Sequence, residues 1–76
     1  MATRKLNKDD LVKLLTAMRD TSQFCADEFH KDRDWAMSRM YRGEVSAFDT
    51  AIMVLTRPEI AEHLWKVFLP GEEAAS

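Results

Sequence analysis

The chain has 76 residues, 11 Lys and Arg against 13 Asp and Glu, and 46% apolar residues. That is enough apolar matter for one small core and too much for wholesale disorder. A formal charge of −2 draws the chain as a whole to neither nucleic acid nor membrane, and a single Cys excludes an internal disulfide, so a reducing, cytoplasmic compartment is expected.

The basic start, Met1 to Leu6, leads into Lys8-Asp9-Asp10, and the longest apolar run is Ala51 to Leu55. Neither a signal peptide nor a membrane span is therefore expected. A core of this size supplies about 3–5 kcal/mol of net stability, so support from a partner or a second copy is expected.

Two Gly and two Pro are few for a sheet protein, and the apolar spacing is helical nearly throughout. The reading is an all-α single domain spanning 1–76, ordered over about 7–69, built from five short helices. Leu11, Leu14, Leu15 and Met18 form one buried stripe of a first helix over 8–20, capped by Asn7 with Asp10 three residues later. A second helix over 22–30 opens at Asp20 or Thr21 and buries Cys25, Ala26 and Phe29. Lys31 to Asp34 interrupts the apolar pattern and reads as a turn.

A third helix over 33–42 turns Ala36, Met37, Met40 and Tyr41 inward and stops at Gly43. Ser46 and Asp49 form a capping-box pattern for a fourth over 46–55, with Phe48, Ala51, Ile52 and Leu55 on its apolar side. The residue before a proline resists helix while proline itself suits a first turn, so Arg57-Pro58 divides the fourth helix from a fifth over 57–69. That fifth helix buries Ile60, Leu64, Val67 and Phe68 until Pro70-Gly71 ends it, leaving 70–76 as a mobile polar tail. No repeat, long heptad array or second domain is evident.

Catalytic chemistry is poorly represented. His63 stands near Glu59 and Glu62 without a second His at metal-ligand spacing, and His30 reads as an exposed residue that can meet Asp34 across the turn. Asp9-Asp10 and Asp27-Glu28 suit the positive ends of helices. Cys25 falls on an apolar face, and glycine-rich phosphate loops are missing. The chain reads as a non-enzyme with no cofactor and no metal.

The third helix carries the functional signal. Residues 31–42 hold Lys31, Arg33, Arg39 and Arg42 against Asp32 and Asp34, a local charge of +2 that leaves the rest at −4. With Met37 and Met40 inward, Trp35, Ser38, Arg39 and Arg42 share the outward face, a surface suited to phosphates and base edges or to a protein hot spot. The plain alternative folds Trp35 back over the core and leaves the arginines solvated.

The strings Thr21 to Ala26, Met37 to Glu44 and Phe48 to Ile52 resemble the lambda-repressor-like helix-turn-helix family over about residues 10–68. Ala26, the pair Ser38-Arg39 and Gly43-Glu44 carry most of that likeness. The family's usual turn glycine is replaced by His30, Lys31 or Asp32. The resemblance implies duplex DNA as partner, with Gln23 and Arg42 on phosphates and Ser38 and Arg39, with Arg33 or Trp35, facing the major groove. It also implies a homodimer through the last helix, using Trp65 or Leu69. The competing reading is a small phage-type inhibitor or adaptor that occupies a partner protein's surface. A third is a domain that dimerises within a larger assembly, supported by Trp65 and Phe68.

Overall fold

The computed structural model describes residues 5–73, and among them the chain is all-helical, with no strand. There are three helices: α1 (Lys8–Lys31), α2 (Trp35–Thr56) and α3 (Pro58–Phe68).

The first begins where the sequence places it. The Asn7 side chain accepts from the Asp10 amide at 2.8 Å, and the Asp10 carboxylate accepts from the Asn7 amide at 3.2 Å, a reciprocal capping box. Asp9 and Asp10 sit at the positive end, His30 and Lys31 at the negative end.

α1 and α2 are joined by a tight turn built without glycine. The Arg33 amide donates to the His30 carbonyl at 3.1 Å and the Asp34 amide to the Phe29 carbonyl at 2.9 Å, which is the bond pair of a Schellman stop. Arg33 occupies the left-handed position of that stop, at φ 59°. Asp34 then caps the next helix, its carboxylate accepting from the Met37 amide at 3.1 Å. One residue thus closes α1 and opens α2.

The two helices run antiparallel, with contacts from Phe29–Tyr41 beside the turn to Arg19–Asp49, several turns away. Small residues make the seam: Ala26 is fully buried, and Ser22 and Ser38 nearly so. The Ser38 hydroxyl donates to the Ala26 carbonyl at 3.0 Å and the Ser22 hydroxyl to Glu44 at 2.9 Å. Phe29 and Tyr41 stack with ring centroids 5.7 Å apart. Toward the open end Val12 and Leu15 on α1, with Val45, Phe48, Ile52 and Leu55 on α2, are half-buried.

Arg57 is extended ahead of Pro58, which divides α2 from α3 as the sequence predicts. Among the described residues α3 contacts α2 and not α1. Beyond α3, Gly71 takes a left-handed φ of 84°, and the Trp65 indole donates to the Glu72 carbonyl at 2.8 Å. That bond ties down the first part of the expected tail; 74–76, like 1–4, lies outside the described residues.

The all-α class agrees with expectation, and the five helices become three. Two expected breaks are absent because nothing in them stops a helix. Thr21 spends its hydroxyl on the Ala17 carbonyl inside α1, and Asp20 accepts from Arg19 instead of capping. Gly43 keeps a negative φ within α2, and the Ser46 carbonyl accepts from the Thr50 hydroxyl inside the same helix. The expected stripe of α1 is also corrected: Leu11, Leu14 and Met18 are exposed, because the hairpin is one layer deep and only the side facing α2 is covered. For the same reason Val67 and Phe68 are exposed, Phe68 at 75%.

Candidate functional site

Successive helical residues turn by about 100°, so the seam has two flanks. On one, α1 places Arg19 and His30 while α2 places Asp49, Arg42 and Trp35. On the other, α1 places Met18 and Cys25 opposite Tyr41, Glu44 and Phe48 of α2.

The first flank is polar and internally paired. The Arg19 guanidinium donates to Asp49 at 3.0 Å and to Asp20 at 3.2 Å; these bonds, Asp49 foremost, hold its pKa above the ordinary value. Near the turn the Arg42 guanidinium lies 3.2 Å from Nδ1 of His30. A guanidinium only donates, so in this contact the ring nitrogen of His30 is the accepting partner. The Trp35 ring meets the His30 ring edge-on at 4.9 Å. His30, Trp35, Ser38, Arg39 and Arg42 line an open notch of about 170 Å³. Arg39 is exposed and makes no hydrogen bond or ion pair among the described residues, so the notch can receive a carboxylate or phosphate.

The second flank is apolar. Met18, Thr21, Cys25, Tyr41, Glu44 and Phe48 line an open groove of about 420 Å³. Its one charged group, Glu44, accepts from Ser22. A further notch of about 390 Å³, lined by Ala61, Glu62, Trp65, Lys66 and Glu72, lies on α3. No family model, curated protein or solved structure matches this chain.

The sequence's candidate residues are therefore brought together in part. Trp35, Ser38, Arg39 and Arg42 do share one place, but Ser38 is only 2% exposed and faces α1, not outward. Its small side chain fits the seam, and Met40, expected inside, is exposed instead. Gln23 lies on α1, its amide donating to Asp27 at 2.9 Å, outside the notch. Arg33 sits in the turn rather than on a helix. His30 pairs with Arg42 and Trp35 and not with Asp34, whose carboxylate is engaged in capping. Trp65 lies in the last turn of α3 and Leu69 is the residue that caps it.

Cys25, expected to be buried, is half-buried at the groove wall. Among the described residues no group of three or more His, Cys, Asp or Glu is arranged to hold a metal ion, and no helix is long and apolar enough to cross a membrane.

The apolar surface is the feature that the sequence reading missed. The signal was in α2, which has only four charged residues in 22: Arg39, Arg42, Glu44 and Asp49. A helix so apolar has more surface to bury than one neighbour can cover.

Proposed function

We propose that this chain is a non-enzymatic protein-binding module whose working surface is the apolar side of the α1–α2 hairpin together with α3. One observation carries the reading. Among the described residues the only fully buried apolar residue is Ala26, while Leu14, Met18, Met40, Val54, Val67 and Phe68 stand in solvent. Monomeric soluble proteins rarely expose apolar surface on this scale, and when they do it marks an interaction site. The groove offers no convergent catalytic groups, since its only ionisable members are Cys25, Tyr41 and Glu44, and Glu44 is tied to Ser22.

The test is site-resolved photocrosslinking in the host cell. A photoreactive side chain at Phe48, in the groove, should give a discrete protein adduct, and the same group at Ser46, an exposed position off the groove, should give none. No adduct at Phe48 would overturn the reading.

Duplex-DNA binding is the second reading, favoured by the cationic notch with its exposed Arg39. The antiparallel hairpin differs from a helix-turn-helix pair, whose helices cross at about 90–120°, so contact would fall to the hairpin tip. Under this reading a labelled duplex binds at low salt, affinity falls steeply with added salt, and Arg39→Ala weakens it. No binding at low salt removes it.

A further inference from the structure

Beside the turn, α1 and α2 lie close because Ser38, 2% exposed, donates its hydroxyl to the Ala26 carbonyl at 3.0 Å. That small residue is the floor of the polar notch. Trp35, Arg39 and Arg42 rise around it at helical spacing from α2, and His30 closes the notch from the last turn of α1. We propose that this notch binds a phosphate monoester, carried either by a phosphorylated protein side chain or by a small phosphorylated molecule. It lies on the opposite flank from the apolar groove and does not rest on the protein-binding reading.

Charge selects the ligand. Two guanidiniums line the notch and no carboxylate does. Asp34, next to Trp35 in the chain, gives its carboxylate to the Met37 amide at 3.1 Å, and the Arg39 side chain makes no hydrogen bond or ion pair among the described residues. Other cations of the chain are matched by acids: Arg19 by Asp49 and Asp20, Lys31 by Glu28, Lys66 by Glu62. Arg42 instead meets a ring nitrogen of His30 at 3.2 Å, which positions the guanidinium without cancelling its charge. A phosphate monoester brings about −1.5 to −2 at pH 7 on a cluster of terminal oxygens, matching both arginines. A carboxylate or a DNA phosphodiester brings a single charge and leaves one cation unmatched.

Size sets how much of the ligand enters. Clefts that enclose a whole small molecule hold about 300–1,000 Å³, so the about 170 Å³ here admits the anionic group and leaves its carrier outside. The carrier then meets Trp35, 51% exposed, whose ring is held by the edge-on contact with His30 at 4.9 Å. Arginine clusters recognise phosphorylated groups in this way, with the neighbouring surface reading what carries them.

The test is an NMR titration of the full chain near neutral pH and at fixed ionic strength, following the Trp35 indole and arginine side-chain signals. The probes are a short peptide carrying phosphoserine, the same peptide unphosphorylated, adenosine monophosphate, dimethyl phosphate and acetate. Both monoesters should saturate the notch, with dimethyl phosphate and acetate about tenfold weaker or more. Whichever monoester binds tighter names the source.

Arg39→Gln should weaken the phosphopeptide about tenfold or more, and Arg39→Lys, which keeps the charge and loses the fork, severalfold. Since the Arg39 side chain bonds to nothing described, these changes read binding and not folding. Lys13→Gln, an exposed cation of α1 outside the notch, should leave affinity unchanged.

Monoesters that bind no tighter than dimethyl phosphate, acetate or the unphosphorylated peptide overturn the proposal, as does binding indifferent to Arg39→Gln. A DNA duplex that saturates these signals where neither monoester does overturns it in favour of the DNA reading. Each of these failures leaves the apolar surface as read above.

Discussion

α2 has two apolar sides that have met different fates. The side toward α1 is closed by small residues and directed polar bonds: Ala26 against Ser38, Ser22 to Glu44, Arg19 to Asp49. The outer side, from Ala36 through Met40 and Ala47 to Val54, carries no charged residue and is exposed. Apolar character alone thus does not choose which side the hairpin closes. The close seam is chosen by size, because only Ser and Ala let the two backbones approach, and by hydroxyls that find partners there.

Filling the seam should have the largest effect. Ala26→Leu puts a branched side chain where no space exists and should destabilise the chain by about 1–3 kcal/mol in urea unfolding. Phe24→Ala, on the solvent side of the same helix, should stay within about 0.5 kcal/mol. Equal effects would deny the seam its special role.

At the turn, Asp34→Ala removes the bond to the Met37 amide and should cost about 1 kcal/mol, read from the shift of the urea midpoint. Arg33→Gly should act in the opposite direction. A left-handed side chain at φ 59° costs about 1–2 kcal/mol, and glycine returns about 0.5–1 kcal/mol of that through the freedom of its unfolded chain, so a net gain of about 0.5 kcal/mol is expected. Loss of stability on this substitution would mean that the Schellman geometry is absent in solution.

The smallest effect belongs to Arg19 and Asp49, both substantially exposed. A double-mutant cycle should give a coupling weaker than the Asp34 cap, declining as salt is added. Because the Arg19 pKa is raised, whatever the charged guanidinium contributes is fully present below its ordinary value and is lost only as the pH rises through the raised one.

Much of the local structure was legible in the sequence. Asn7 with Asp10, the charged interruption at 31–34 and Arg57-Pro58 each carry a helix boundary in their own chemistry, and each boundary stands where the residues place it. The false boundaries came from residues whose chemistry is two-sided. Thr21 and Ser46 suit an N-cap as well as a helix interior, and only the tertiary partner decides. Thr21 donates back to Ala17, and the neighbouring Ser22 finds Glu44 22 residues away, which no local pattern announces.

The candidate site divides in the same way. Trp35, Arg39 and Arg42 were found because helical spacing alone puts them near one another. Ser38 was misplaced outward because a seam made of small residues gives no hydropathy signal, and His30 was overlooked as a partner because its contact with Arg42 crosses the turn. The apolar outer side of α2 was missed because Ala36 and Met40 were turned inward, while both stand exposed.

The most direct test of the account is the solvent accessibility of the Met40 methyl group, 47% exposed in the single chain, measured by methyl NMR with a soluble paramagnetic probe. If the apolar surface stands open for a partner, the probe broadens the Met40 signal of the chain alone more strongly than that of half-buried Met37. A Met40 signal as protected as that of Met37 in folded monomer contradicts it.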